Sequence, residues 1–204
     1  MEKCCRYFDA NTLNTTIMKK VIGAFNMTLD GICDHTVGIA DEQLHQHYSE
    51  LIDNAGFILY GRITYQLMQY WQTLLQNPSG EKSMDDFAIS INKIQKIIFS
   101  TTLKDPGWVS AAIARRPLDE EILQLKQQSK KDILVGSRSL IIQLLNSNLI
   151  DEFQICIHPI IEGKGLPMFD QIKDRIVMKL VKTKLLNSGA IVLYYQPSSL
   201  SNQK

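Results

Sequence analysis

The chain has 204 residues, 45% of them hydrophobic and 21% charged, with a formal net charge of +1. That is the size and composition of one soluble globular domain, and it offers no electrostatic case for nucleic acid or an anionic membrane as partner. No run approaches the roughly 18 apolar residues that a membrane span needs, and Met1 to Ile17 lacks the apolar core of a signal peptide, so a cytoplasmic protein is expected.

Residues 1–17 show no period and are expected to form a loose extension, with the domain starting near Met18. Cys4, Cys5, Cys33 and Cys156 contain no C-x-x-C spacing and are read as unpaired thiols of a reducing compartment. Lys20 to Met27 is mostly apolar and predicts a strand buried on both faces. It ends in Asp30-Gly31, a turn dipeptide. Asp41 can cap a helix from Glu42 to Asn54, with Leu44, Tyr48, Leu51, Ile52 and Ala55 on one face. Gly56 to Tyr60 predicts a second strand, and Thr64 to Leu75 a second helix. Ser83 with Asp86 resembles a capping box ahead of a helix from Met84 to Ile94.

Lys96 to Phe99 predicts a third strand and Trp108 to Ile113 a fourth. Pro117 precedes a helix from Leu118 to Gln128, with Asp119, Glu120 and Glu121 in its first turn, where the dipole favours acids. Asp132 to Val135 predicts a fifth strand, followed by a helix from Leu140 to Asn146. Glu152 to Ile161 reads as a strand in which Pro159 marks an edge or an end. Val177 to Leu185 and Ala190 to Gln196 read as a hairpin, with Lys179, Lys182 and Lys184 marking a solvated or edge face. Residues 198–204 read as a polar tail. Strands and helices alternate until two strands come in succession. The prediction is therefore a single α/β domain with a mostly parallel mixed sheet and a C-terminal antiparallel hairpin.

Three of these strands end in similar chemistry. Gly61-Arg62-Ile63-Thr64 follows the second, Ser100-Thr101-Thr102 the third and Gly136-Ser137-Arg138-Ser139 the fifth. Glycine lets a backbone approach a ligand, a helix start offers free N–H groups and positive potential, and arginine forks suit phosphate. In an open parallel sheet, ligands bind outside the carboxyl ends of strands. Together the three ends predict a crevice for a dinucleotide pyrophosphate and a further phosphate. The histidines do not form a metal site in this reading: His45 and His47, two apart on a helix, point about 200° from each other, and His35 and His158 lie in separate segments.

These motifs, with Asn26-Met27-Thr28-Leu29-Asp30-Gly31, Leu149-Ile150-Asp151-Glu152-Phe153 and Pro159 through Phe169, resemble the dihydrofolate reductase family. More narrowly, they resemble its branch containing the reductase domain of bacterial riboflavin biosynthesis, over about Met18 to Pro197. The resemblance implies a dihydrofolate-reductase-like fold and a reduced nicotinamide cofactor, NADPH in the first place with NADH as the alternative. Gly61, Arg62 and Thr64 would lie at its adenosine and phosphate end. Ser100, Thr101, Thr102 and Leu103 would lie beside the adenosine, and Gly136, Ser137, Arg138 and Ser139 at the pyrophosphate. Thr101 stands where the branch often has arginine, which leaves Arg62 as the main charged residue favouring the phosphorylated cofactor.

Asp30 is the candidate carboxylate on the substrate side, to accept a hydrogen bond or help proton delivery. The implied activity is hydride transfer to a small heterocycle, on the pattern of 5-amino-6-(5-phosphoribosylamino)uracil reduction. The alternatives are another substrate on the same fold, or a non-catalytic dinucleotide-binding protein. The chain has no His-x-Glu with Pro-Cys-x-x-Cys deaminase signature. A homodimer through the sheet edge is implied, for which Ile155 to Ile161 is apolar enough.

Overall fold

The computed structural model describes residues 19–198; the expected N-terminal extension and nearly all of the polar tail lie outside the described residues. One sheet of eight strands runs through the domain. In chain order the elements are β1 Val21–Thr28, α1 Glu42–Asn54, β2 Ala55–Gly61, α2 Arg62–Met68, α3 Tyr70–Gln76, α4 Lys82–Lys93, β3 Gln95–Phe99, β4 Ala111–Ile113, α5 Leu118–Gln128, β5 Asp132–Val135, α6 Arg138–Asn146, β6 Glu152–His158, β7 Met178–Leu185 and β8 Ile191–Pro197. The order across the sheet is β4-β3-β2-β5-β1-β6-β8-β7. The first six are parallel, and β8 and β7 close the far side as antiparallel strands.

Alternation along each strand divides the core in two. Val21, Leu59, Ile133, Val135 and Ile155 point to the layer of α5 and α6, where Ile122, Leu125, Ile141 and Leu144 meet them. Ile22, Ile58, Tyr60, Ile98 and Leu134 point to the other layer, against Ile52 of α1, Tyr65 of α2 and Phe87 and Ile91 of α4. This is the two-sided burial that near-continuous apolar strands require. Pro159 marks an end rather than an edge: β6 lies inside the sheet between β1 and β8 and stops at His158. The lysine-bearing β7 is the edge strand.

Three elements differ from the sequence reading. The continuous helix expected from Thr64 to Leu75 is two short ones joined at Gln69. The Tyr65 hydroxyl and Gln69 Nε2 both donate to Pro106 O, at 2.7 and 3.1 Å, and Gln72 N closes a tight three-residue turn onto Gln69 O. The expected capping box does not form. Instead Asp85 accepts from the backbone N and hydroxyl of Ser79, and Lys82 pairs with Asp86. The fourth strand starts at Ala111 rather than Trp108, because Trp108 O accepts a turn bond from Ala111 N and its indole donates to Asn92 Oδ1 at 2.7 Å.

Lys96 fastens that corner of the sheet. It is 1% exposed. Its ammonium donates to Ile94 O at 2.9 Å and Ser110 Oγ at 2.8 Å and sits 4.0 Å from the centre of the Trp108 ring. Burial pulls its pKa down from 10.5 to about 7. The fold therefore disfavours the ammonium relative to the unfolded chain, and the unfolded state binds more protons between those values. Wild type should gain stability relative to Lys96→Met as pH rises from about 7 to 10.5. Chemical denaturation across that range checks this, and a difference that does not change with pH contradicts it.

Candidate functional site

The sheet order brings the three motif-bearing strand ends side by side, because β3, β2 and β5 are neighbours. Gly61 is paired with Phe99, and Leu59 with Val135. Past the last ladder residue of β5, Gly136 N still donates to Leu59 O at 3.1 Å. The next link is a side chain: Gly61 N donates to Ser137 Oγ at 2.9 Å. Glycine is needed at position 136 because a Cβ there would lie 2.6 Å from the Tyr60 ring. Neither Gly61, before α2, nor Ser137, before α6, gives its helix a side-chain cap. The first N–H groups of both helices thus stay without intrahelical partners at the same end of the sheet.

These ends border a cleft of about 690 Å³, within the range of small-ligand sites. Gly61, Arg62 and Thr64 form one wall, Ser100, Thr101 and Thr102 the floor, and Ser139 on α6 closes the far side. Ile63, Phe99, Leu118 and Leu140 add apolar surface. The Ser100 hydroxyl accepts from Thr102 N at 3.2 Å and Leu103 N at 2.9 Å, so it shapes the turn as well as lining it.

Other residues of the motifs are placed differently. Leu103 packs against the core cluster that contains Tyr60 and Trp108. Ser137 is buried behind the cleft. The Arg138 guanidinium turns away: its Nε donates to Pro167 O at 2.7 Å and its Nη2 pairs with Asp170. Only its backbone faces the helix start. The sequence reading missed Ala114-Arg115-Arg116-Pro117, which forms the remaining wall. Its sole signal was a pair of arginines ahead of the proline that opens α5.

Asp30 lies at the end of β1, outside the residues that line this cleft. Its carboxylate accepts from the Thr28 hydroxyl, from Gly163 N at 2.7 Å and from Glu162 N at 3.2 Å. Those bonds, the Thr28 hydroxyl first, hold its pKa down at about 2. It is one tooth of a zipper between the loop after β1 and the loop after β6. Leu29 N meets Ile160 O, Cys33 N meets Leu166 O, Met168 N meets Gly31 O, and Asp34 accepts from Leu166 N. His158, fully buried at the end of β6, accepts from Ile39 N through Nδ1 at 3.1 Å. Burial lowers its pKa. No group of three or more acids, histidines or cysteines that could hold a metal is found among the described residues, and none of their helices is long and apolar enough to cross a membrane.

The sheet order, the adjacent glycine- and hydroxyl-bearing strand ends and the antiparallel closing strands define a dihydrofolate-reductase-like α/β domain. Residues 19–192 match the RibD C-terminal domain, and the chain belongs to that family. It is 30% identical over 186 residues to the uncharacterized protein YyaP of Bacillus subtilis (strain 168), covering 89% of this chain and 97% of that one. A pyrimidine reductase-like protein of Corynebacterium diphtheriae shares the fold with a TM-score of 0.61 and 15% identity, over 88% of this chain and 92% of that one. So does the diaminohydroxyphosphoribosylaminopyrimidine deaminase/5-amino-6-(5-phosphoribosylamino)uracil reductase of Thermotoga maritima, with a TM-score of 0.60 and 19% identity. The alignment covers 89% of this chain and 57% of that longer one.

Asp30→Asn removes the charge that Glu162 N and Gly163 N meet. At neutral pH it should speed amide exchange at those two residues. Wild type should show the same loosening only as pH falls from 3.8 towards 2, because a lowered carboxylate pKa contributes above the unfolded value and is lost through the folded one. Equal exchange in both proteins at pH 7 contradicts this.

Proposed function

We propose that the chain is a reductase that binds a reduced nicotinamide dinucleotide, preferably NADPH, and reduces a small heterocycle of the aminopyrimidine type. The observation that carries the reading is the cleft itself. Two uncapped helix starts, a floor of hydroxyls and arginine-bearing walls converge at the carboxyl ends of three adjacent parallel strands. That is the donor set a pyrophosphate needs, and the residues present fit a dinucleotide. Gly61 leaves room over α6: a Cβ there would stand 3.4 Å from Ser139 Oγ.

In this reading Thr64, Ser139 and the free N–H groups at the starts of α2 and α6 hold the phosphates, Gly61 and Gly136 let the ligand come close, and Ser100, Thr101 and Thr102 border the adenosine. A reduced nicotinamide supplies the hydride, and the chain's own contribution is orientation. Asp30 acts at the substrate end by holding the zippered loops in place; as a carboxylate with a pKa of about 2 it remains an acceptor. The family's reductases make 5-amino-6-(5-phosphoribosylamino)uracil the first substrate to test.

Titration with NADPH and NADH, followed by cofactor fluorescence, tests the reading, and the absence of saturable binding to either sinks it. Ser139→Asp places a carboxylate at the start of α6 and should weaken either dinucleotide by about tenfold or more, the scale of one charge-assisted contact. Unchanged affinity would remove α6 from the site.

A homodimer in the cytoplasm completes the proposal. On the sheet face with Ile155, Leu193 and Tyr195, the paired Leu185 and Ile191 are 71% and 40% exposed, and Leu180 is 47% exposed. Contiguous apolar surface of this kind fits a second copy. Sedimentation should show a dimer that Ile191→Lys shifts towards monomer; a monomeric wild type contradicts this part alone.

A further inference from the structure

At the carboxyl end of β6 one buried side chain holds an exposed stretch of chain. Gly38, Ile39 and Ala40 are exposed and lead from the loop after β1 into α1. Both ends of the stretch are anchored. On one side the Asp34 carboxylate accepts from Leu166 N at 2.9 Å and its carbonyl from Val37 N at 3.2 Å, and Val37 is buried. On the other, Asp41 caps α1 through Leu44 N at 2.7 Å and accepts from Ser188 N at 3.0 Å. Residues 38–40 themselves make one hydrogen bond among the described residues: Ile39 N donates to Nδ1 of the fully buried His158 at 3.1 Å. Because Nδ1 accepts, the neutral ring carries its proton on Nε2. Nε2 is buried without a partner, and Gly38 lies against it: a Cβ at Gly38 would stand 3.3 Å away.

The ring can hold the stretch only while it is neutral. A second proton has to enter at Nδ1, where it turns the acceptor of the Ile39 N–H into a donor facing a donor. The cation would then carry two buried N–H groups and no acceptor for either. We infer that His158 is a latch: neutral, it straps residues 38–40 over the carboxyl end of β6, and protonated, it releases them and opens that end to solvent. The surroundings do little to keep the cation in place. Thr28, paired with His158 from β1, is uncharged and gives its hydroxyl to Asp30. The turn between β7 and β8 is uncharged from Leu186 to Ala190. Burial pushes the Cys156 thiol, two residues back on β6, up to about 12, so it stays neutral. Asp41 at the start of α1 is the carboxylate that favours protonation, but its oxygens are spent on Leu44 N and Ser188 N. Burial outweighs it and lowers the pKa of His158 below 6.5. A lowered histidine pKa favours the closed strap above 6.5, and that contribution is lost as pH falls below it. The latch does not depend on the dinucleotide reading.

Amide exchange followed residue by residue by NMR, without cofactor and corrected for the intrinsic pH dependence of exchange, tests the latch. In wild type, protection at Ile39 should fall by about tenfold or more as pH is lowered through 6.5, the scale of one lost hydrogen bond. The fall should share its midpoint with the titration of the His158 ring resonances. Leu44, whose N–H is held by Asp41, should keep its protection over the same range. His158→Asn places an uncharged δ oxygen where Nδ1 stands and should keep Ile39 protected throughout. His158→Leu removes the acceptor and should leave Ile39 unprotected at every pH. Three results overturn the assignment: constant protection at Ile39 in wild type, loss at Leu44 in step with Ile39, or an asparagine variant that loosens with pH as wild type does. The first two are read on wild type, so they decide the matter even if a variant fails to fold. No dinucleotide enters the experiment, so a failed latch leaves the proposed function untouched.

Discussion

The bond from Gly61 N to Ser137 Oγ, 2.9 Å long, sets the geometry of the cleft. The backbone ladder between β2 and β5 ends with Gly136 N on Leu59 O, and the serine side chain carries the pairing one step further. By itself a buried neutral hydrogen bond contributes about 1 kcal/mol, a small part of the stability of a domain this size. Its positional effect is larger. It makes both strands finish at one level, so that α2 and α6 start side by side. It also draws Gly136 against the Tyr60 ring, where any side chain would collide. A serine serves as the link because it is small enough to stay buried and still present an oxygen to a backbone N–H. Its commitment there leaves the start of α6 without a side-chain cap, and so open to an anion.

What the sequence made legible was local. Asp41 accepts from Leu44 N as an N-cap should, and the bounds of α1, α5 and β5 agree with their periodicity and flanking signals. The three strand ends were legible as a set, since each carries hydroxyls within four residues and two of them a glycine and an arginine as well. What was illegible depends on partners far along the chain. Nothing near Gln69 marks a break; the break is set by Pro106, whose carbonyl gathers Tyr65 and Gln69. Asp85 rather than Ser83 orders the start of α4, through a bond to a residue before the helix. Arg115 was missed for a topological reason. It joins the cleft only because β4 lies beside β3 at the sheet edge, and no local pattern encodes that adjacency.

Charge at a motif does not by itself leave a side chain free to meet a ligand. Arg138 sits in the motif that begins α6, yet its guanidinium is enclosed by Pro167 O and Asp170, joining the helix to the segment after β6. Asp30 follows β1 at the open end of the sheet, yet its carboxylate is saturated by a hydroxyl and two backbone N–H groups. Both residues hold loops. The segment from Ile160 to Asp170 is consequently tied at both ends, to the β1 loop through Asp30 and Asp34 and to α6 through Arg138. Such a segment is ordered by its charges before any ligand arrives.

That division separates two tasks within the carboxyl edge of the sheet. On the β3, β2 and β5 side, small residues and backbone groups form the cleft, and the exposed arginines stand at its rim. On the β1 and β6 side, the surface is made of tied loops that expose Leu29, Ile161 and Leu166. A dinucleotide laid across the first region would bring its reactive end to the second, since β5 and β1 are adjacent. The first region depends on features that tolerate little change: glycine against a ring, serine under a backbone N–H, and two helix starts at one level. The second depends on loop contacts made by backbone groups and by the side chains of Asp30, Asp34 and Arg138, and Leu29, Ile161 and Leu166 contribute only backbone atoms to its hydrogen bonds. Under the proposed function, a domain built this way would keep one dinucleotide in the cleft while changes in its exposed loop residues altered the molecule reduced.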